Sequence, residues 1–306
     1  MRGRPPPRAS RNRERAGVTA DARWSETGFA KINLALHVRR RRDDGYHDIE
    51  TLFAFCDDGD VLQAAPADAV TLSLTGPFAA GLDGGGDNLV LRAAQALKDA
   101  SGYVGGAALT LDKRLPVASG IGGGSADAAA TLRLLNRMWR LDWPAARLAE
   151  LALPLGADIP ACVHSHALRG EGIGEKLRRD PGMDALAGVP VLLVNPLIGV
   201  STADVFRGWD RRDRGPLATG DALFVAASGR NDLMPPARAQ VPEIAQVLET
   251  LGACAGTALV RMSGSGATCF ALFEDKIWRD RAEAHICAAQ DGWWTLATKL
   301  RAESGV

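Results

Sequence analysis

Leu115-Pro116-Val117-Ala118-Ser119-Gly120-Ile121-Gly122-Gly123-Gly124-Ser125-Ala126-Asp127-Ala128-Ala129-Ala130, running on into Thr131-Leu132-Arg133-Leu134-Leu135-Asn136, carries the strongest local signal in the chain. Four of the five positions from Gly120 to Gly124 are glycine, so the backbone there is free to adopt positive φ and to meet a ligand with no Cβ in the way. Ser125 and Asp127 then head an Ala-rich run in which Ala128, Leu132, Leu135 and Trp139 recur at helical spacing. Ahead of the loop, Ala107-Ala-Leu-Thr-Leu-Asp-Lys113 alternates as a strand does. Strand, glycine loop and helix in that order aim unpaired N–H groups and the positive end of a helix dipole at one spot, an arrangement suited to phosphate. A connector that merely lets the helix pack closely has the same composition. The loop is not a Walker motif, because no Gly-Lys-Ser/Thr follows, nor a dinucleotide fingerprint, because Ser125 stands where a glycine would close it.

A length of 306 residues exceeds what one modest core fills, and two domains are expected. Lysine plus arginine equals aspartate plus glutamate at 36 each, so the overall charge advertises neither nucleic acid nor a membrane surface. The balance is uneven. Residues 1–23 carry seven Arg against Glu14 and Asp21, a surplus of five that leaves the rest of the chain at minus five. This Arg- and Pro-rich stretch has almost no large apolar side chains to repay ordering and predicts a disordered extension. An organellar transit peptide is the second reading, weakened by Pro5-Pro6-Pro7. No apolar run approaches the roughly 18 residues of a membrane span, and the N-terminus has no apolar segment of the secretory kind. Cys56, Cys162, Cys254, Cys269 and Cys287 are odd in number and lack Cys-x-x-Cys spacing, which fits a reducing cytoplasm rather than a disulfide framework or zinc site.

From Thr27 onward Ile32, Leu34, Leu36 and Val38 alternate with Lys31, Asn33, Ala35 and His37, predicting a half-buried strand with Lys31 and Asn33 on its polar face. Ile49, Thr51, Phe53 and Phe55 alternate on the return, and Asp44-Gly45 makes the reversal of a hairpin. Further strands are expected at Val70–Leu74, Val189–Asn195, on both sides of Gly264-Ser265-Gly266, and near Trp293–Ala297. Helices are expected from Leu89, capped by Asn88, to about Asp99, then over Ala145–Leu153, Pro242–Leu251 and Ile277–Gln290. Residues 210–222 read as loop. Asp158, in Gly156-Ala157-Asp158-Ile159-Pro160, is a carboxylate among apolar neighbours; such a group needs a partner when buried, and bracing its own turn would suffice.

The pattern Pro116-x-x-x-Gly120-Ile121-Gly122-Gly123-Gly124-Ser125 resembles the phosphate loop of the GHMP kinases, a family of small-molecule kinases. Ala30-Lys31-Ile32-Asn33-Leu34, Asp44-Gly45-Tyr46-His47, Leu155-Gly156-Ala157-Asp158-Ile159-Pro160 and Gly264-Ser265-Gly266 extend the resemblance over nearly the whole chain beyond residue 23, and specifically to a branch whose substrate carries a cytidine diphosphate. It implies an α+β, two-domain GHMP kinase fold: residues 24–178 like the second domain of ribosomal protein S5, residues 179–306 ferredoxin-like. It further implies transfer of the γ-phosphoryl of ATP, with Mg²⁺, to a hydroxyl of that small-molecule substrate. By the same resemblance, Lys31 and Asp158 are the catalytic pair, with Asp158 as base. Residues Pro116 to Ala126 (Pro116, Val117, Ala118, Ser119, Gly120, Ile121, Gly122, Gly123, Gly124, Ser125 and Ala126) together with Lys113 hold ATP. Asn33, Tyr46, His47, Thr202 and Phe206 hold the cytidyl substrate, Tyr46 by stacking and His47 by hydrogen bonding, and Gly264, Ser265 and Gly266 close near the phosphates. Ser125 is the candidate metal contact. Asn231-Asp232-Leu233 matches a further signature to which no role attaches.

The match departs from the family pattern at Ala118-Ser119, where Gly-Gly is common, and at Ser125-Ala126-Asp127, where Ser-Ser-Asp or Ser-Ser-Asn is common. A kinase of homoserine or mevalonate shares the loop, but Tyr46-His47 argues against it; a catalytically silent binding relative would not need Lys31 and Asp158. The Arg-rich start and S5-like fold admit a nucleic-acid role, against which the acidic remainder weighs. The expected partner is therefore a small molecule, with no nucleic acid and no membrane, acting in a monomer or homodimer.

Overall fold

The computed structural model describes residues 24–180 and 182–303; the extension expected over residues 1–23 lies outside the described residues. Two long strands, β1 (Ser25–Arg41) and β2 (His47–Ala67), pair antiparallel with Arg41 opposite His47. The chain reverses through residues 42–46, where Gly45 takes φ 89°. After β3 (Val70–Thr75), helix α1 (Leu89–Ser101) opens on the Asn88 side chain, which accepts the Val90 N–H at 3.0 Å, and ends at Gly102 in the left-handed region. Strand β4 (Gly106–Asp112) lies parallel to β3 and antiparallel to β2. The glycine loop follows, then α2 (Gly123–Met138), α3 (Ala145–Ala152), α4 (Ile159–His164), β5 (Leu168–Gly172) and β6 (Lys176–Arg178). The sheet runs β3-β4-β2-β5-β6, with β1 paired to β2.

A second sheet begins at β7 (Pro190–Asn195) and continues, after α5 (Thr202–Arg207), α6 (Ala222–Ser228), α7 (Met234–Gln240) and α8 (Glu243–Gly252), with β8 (Thr257–Met262) and β9 (Cys269–Phe273). Helix α9 (Lys276–Ala289) and β10 (Trp294–Lys299) complete it. All its pairings are antiparallel and its order is β10-β7-β9-β8, the ferredoxin-like arrangement of strand, helix, two strands, helix and strand. The expected strands, and the helices expected to be long, are present. Helices α4 to α7 were not expected: at six or seven residues each they are too short to show a period. Pro160 and Pro235 sit in the first turns of α4 and α7, where the missing N–H costs nothing.

Strand β1 corrects another expectation. Its polar positions do not face solvent: Lys31, Asn33 and His37 are 3%, 2% and 2% exposed. The apolar side packs Ile32 and Leu34 with Val191, Leu193, Phe270 and Leu272 of the second sheet. Covered on both faces, β1 is the element against which the two sheets are built, and its buried Lys31, Asn33 and His37 each have a protein partner, as burial requires.

Candidate active site

Beyond Lys113 the chain leaves β4, crosses over β1, and enters α2. Gly120 and Gly122 both take positive φ, 74° and 71°. A methyl group on Gly120 would lie 2.5 Å from the Ser263 carbonyl oxygen and 2.7 Å from that of Gly266, and one on Gly122 would lie 3.2 Å from Lys31 Cε. Glycine is therefore required here by close approach as well as by conformation. Helix α2 begins at Gly123, not Ser125, and no side chain caps it. Its first N–H groups have no intrahelical acceptor, and Gly123, Gly124 and Ser125 line a cleft of about 830 Å³.

Behind this loop stands an ionic cluster that was only partly foreseen. Lys113 Nζ donates to Asp127 Oδ2 at 2.7 Å and to Asp60. The other Asp60 oxygen accepts the N–H groups of Arg114 at 2.6 Å and Leu115 at 2.9 Å, fixing the loop's entry. All three charged side chains are buried. Burial, opposed by Lys113 and reinforced by Asp60, pushes the Asp127 carboxyl up to about 8. Burial alone would lower the Lys113 ammonium, but the two carboxylates outweigh it and hold it above its ordinary value. Lys113 reaches the cleft wall, with its ammonium already engaged from behind.

Lys31 takes the other side of the loop. Its N–H donates to the Ile121 carbonyl at 3.0 Å. Its ammonium donates to Asp158 Oδ2 at 2.9 Å and Asn33 Oδ1 at 3.1 Å and lies 5.0 Å from the centre of the Phe53 ring. The Asn33 amide continues to Thr51 Oγ1 at 2.8 Å and thence to the Ala35 carbonyl at 2.7 Å, so Asn33, which also lines the cleft, helps hold Lys31 in place. Asp158 precedes α4 without capping it; its side chain is 38% exposed against 4% for Lys31 and opens onto the cleft. The α4 backbone is itself pinned. Arg133 of α2 donates to the Cys162 carbonyl at 2.6 Å, Ser165 Oγ at 3.0 Å and the Thr27 carbonyl at 2.8 Å.

The β8–β9 turn closes the third side. Ser263 Oγ donates to the Gly120 carbonyl at 2.9 Å and accepts the Asn33 N–H at 3.2 Å, while Ser265 Oγ and Thr202 Oγ1 are 2.9 Å apart. Gly264 and Ser265 line the cleft; Gly266 sits behind, facing Met262 and Ile244. Ile121 and Ala126 are likewise buried, at 0% and 2% exposure, and belong to the loop's backing. At the hairpin tip Tyr46 is 58% exposed, and His47 lies 5.0 Å from Phe206, tilted by 36°, and 5.8 Å from Trp209, edge-on at 84°. Burial, then the nearby Arg41 charge, lowers the His47 pKa from its ordinary 6.5. Leu82, Leu89, Leu111 and Val117 add an apolar stretch to the same cleft.

Lys31, Asn33, Tyr46, His47, Asp158, Thr202 and Phe206 therefore share one cavity with the glycine loop. Sequence reasoning passed over Asp60, Thr51, Ser263 and Trp209. Only Asp60 left a trace, as an acid inside a strand. The matched family profiles are the GHMP kinases N terminal domain, over residues 88–166, and the GHMP kinases C terminal domain, over residues 218–291. A 4-diphosphocytidyl-2-C-methyl-D-erythritol kinase of Rhizorhabdus wittichii is 53% identical over 279 residues, 90% of this chain and 94% of that protein. The corresponding kinase of Sphingopyxis alaskensis is 53% identical over 283 residues, covering 92% and 99%. The chain belongs to the 4-diphosphocytidyl-2-C-methyl-D-erythritol kinases, a branch of the GHMP kinases. A crystal structure of 4-(cytidine 5'-diphospho)-2C-methyl-D-erythritol kinase, 32% identical, superposes with a TM-score of 0.74 over 91% of this chain and 99% of that one.

Proposed function

We infer that the protein transfers the γ-phosphoryl group of ATP to the 2-hydroxyl of 4-diphosphocytidyl-2-C-methyl-D-erythritol, in the non-mevalonate route to isoprenoid precursors. The observation that carries this reading is the Lys31–Asp158 pair, 2.9 Å apart and open to a cleft that the glycine loop and Tyr46, His47 and Phe206 also line. A volume of about 830 Å³ is within the range of pockets that take small-molecule ligands. Phosphoryl transfer asks of a protein mainly placement and charge neutralisation.

In this reading the N–H groups at the start of α2 hold the triphosphate. The apolar stretch around Leu82, Leu89 and Leu111 takes the adenine, and Tyr46 and Phe206 take the cytosine by stacking. Asp158 accepts the proton of the attacking hydroxyl. Lys31 neutralises charge growing between nucleophile and γ-phosphoryl, held on target by Asn33. Among the described residues no group of three or more His, Cys, Asp or Glu side chains forms a metal site. Ser125, in the cleft lining, is the hydroxyl the chain would offer to Mg²⁺ carried largely by the nucleotide's own phosphates and water. The ion would supply further neutralisation of the phosphate oxygens.

The residues to which this reading assigns roles all come from one chain, and the protein acts as a monomer or homodimer. The boundary between the domains, which we place near residue 179, falls between the last strand of the first sheet at Arg178 and the first of the second at Pro190. Cys56, Cys162 and Cys269 are buried free thiols, which suits a reducing cytoplasm. No helix among the described residues is long and apolar enough to cross a membrane. The test is incubation with ATP, Mg²⁺ and 4-diphosphocytidyl-methylerythritol, with homoserine and mevalonate in parallel. The expected result is ADP release and a product one phosphoryl group heavier with the cytidyl substrate alone; release with either of the others instead would refute the reading.

A further inference from the structure

Asn231-Asp232-Leu233 follows α6 and is buried throughout, at 6%, 5% and 0% exposure. Its backbone is stitched to β1: the Leu36 N–H donates to the Arg230 carbonyl at 2.8 Å and the Asp232 N–H to the Leu36 carbonyl at 2.9 Å. The Asp232 carboxylate accepts the Val38 N–H at 2.9 Å. Asn231 is thus fixed relative to the strand that carries Lys31 and Asn33. Its side chain spends both amide hydrogens on one turn, donating to the Met262 and Gly264 carbonyls at 2.8 Å each, and its Oδ1 accepts the Leu233 N–H at 2.9 Å.

That turn is the one whose other surface bears on the cleft. Ser263 within it reaches the Gly120 carbonyl and the Asn33 N–H, and Ser265 reaches Thr202. The hairpin closes without help from Asn231, because the Ser263 N–H donates to the Thr268 carbonyl and the Gly266 N–H to the Ser263 carbonyl, both at 2.9 Å. What Asn231 adds is orientation of the turn relative to β1. We propose that Asn231 is a positioning residue for phosphoryl transfer, fixing the Ser263–Gly266 turn so that the phosphate loop and the Lys31 strand stay in register. It is not among the residues lining the cleft, and it acts through Ser263 and Ser265. The proposal rests on the kinase reading above. A displaced turn would spoil alignment of donor and acceptor, to which rate is far more sensitive than binding, while leaving the cytidyl end intact.

The test uses the full chain and Asn231→Asp, which keeps shape and the Oδ1 acceptor but sets a carboxylate oxygen against two carbonyls. CDP titration by calorimetry gives the fraction of folded sites, and turnover is expressed per CDP-binding site. The expected result is a fall in kcat of about 10- to 100-fold with CDP affinity unchanged. Part of the loss should be recovered as pH is lowered, because a protonated carboxyl regains one donor. Turnover per site within twofold of the unsubstituted chain, or CDP affinity lost in step with turnover, would overturn the proposal. Should Asn231→Asp fail to fold, Ser263→Ala loosens the same turn from its other side and must show the same split; unchanged turnover there overturns it equally. Absence of kinase activity in the unsubstituted chain would instead strike the functional reading, before any variant is compared.

Discussion

In the proposed reading, His47, which lines the cleft, is the titratable side chain whose charge bears on the cytidyl end. Burial, with Arg41 nearby, keeps its pKa below the ordinary 6.5, so the ring is neutral at pH 7 and presents one donor and one acceptor nitrogen. A cytosine edge has both kinds of group to meet them. Protonation would remove the acceptor. The KM for the cytidyl substrate is therefore expected to rise only on the acid side of 6.5, with the KM for ATP unaffected, and His47→Gln should flatten that dependence by keeping a donor and an acceptor that do not titrate. Steady-state kinetics between pH 5 and 8 checks this; a pH response of the same size in His47→Gln would remove His47 from the site. Trp209, 5.8 Å from the ring, had no expected role in the sequence because nothing marks a tryptophan past a six-residue helix as anything other than core.

Asp127 links side-chain chemistry to the phosphate loop as an element. It shares the Lys113 ammonium with Asp60 at the base of α2, and with all three groups ionised the buried cluster would carry a net negative charge. With its carboxyl pushed up to about 8, folded Asp127 keeps a proton that the unfolded chain releases near the ordinary 3.8. Its contribution to stability is thus complete below about pH 4 and is lost as pH rises towards 8, with a slope of at most roughly 1.4 kcal/mol per pH unit. In denaturant titrations the stability of the natural chain should rise as pH falls across that range, while that of Asp127→Asn stays flat by comparison. An identical pH slope in both would show that Asp127 ionises normally. The loop, α1, α2, α3, α8, α9 and eight of the strands were largely legible, because each is long enough to show a period or carries glycine where only glycine fits, whereas β5 and the three-residue β6 were not named. The helices from α4 to α7 were not. The helices α4, α5 and α6 are held by tertiary bonds, of Arg133 to the Cys162 carbonyl, Thr202 to Ser265 and Arg261 to the Ala226 carbonyl, which leave no mark in local sequence.

At the scale of the whole molecule the functional argument is one of convergence. Lys31 comes from β1, Asp158 from the turn before α4, Gly120 from the loop before α2, and Ser263 and Thr202 from the second sheet and its connections, yet all meet around one cleft. Sequence motifs named most of these residues. They could not show that β1 is buried on both faces, which follows only once the second sheet packs Val191 and Phe270 against Ile32 and Leu34. Nor could they show that Asn33 bonds Lys31 on one side and Thr51 on the other. If the pairing of Lys31 with Asp158 is the chemical centre, chemistry and binding must be separable. The most direct measurement is ADP formation by Asp158→Asn with ATP, Mg²⁺ and the cytidyl substrate, set beside the ATP and CDP dissociation constants of the same variant. The account predicts turnover reduced by roughly 10²- to 10⁴-fold with both dissociation constants within a few-fold of the natural chain. Turnover close to that of the natural chain would contradict it.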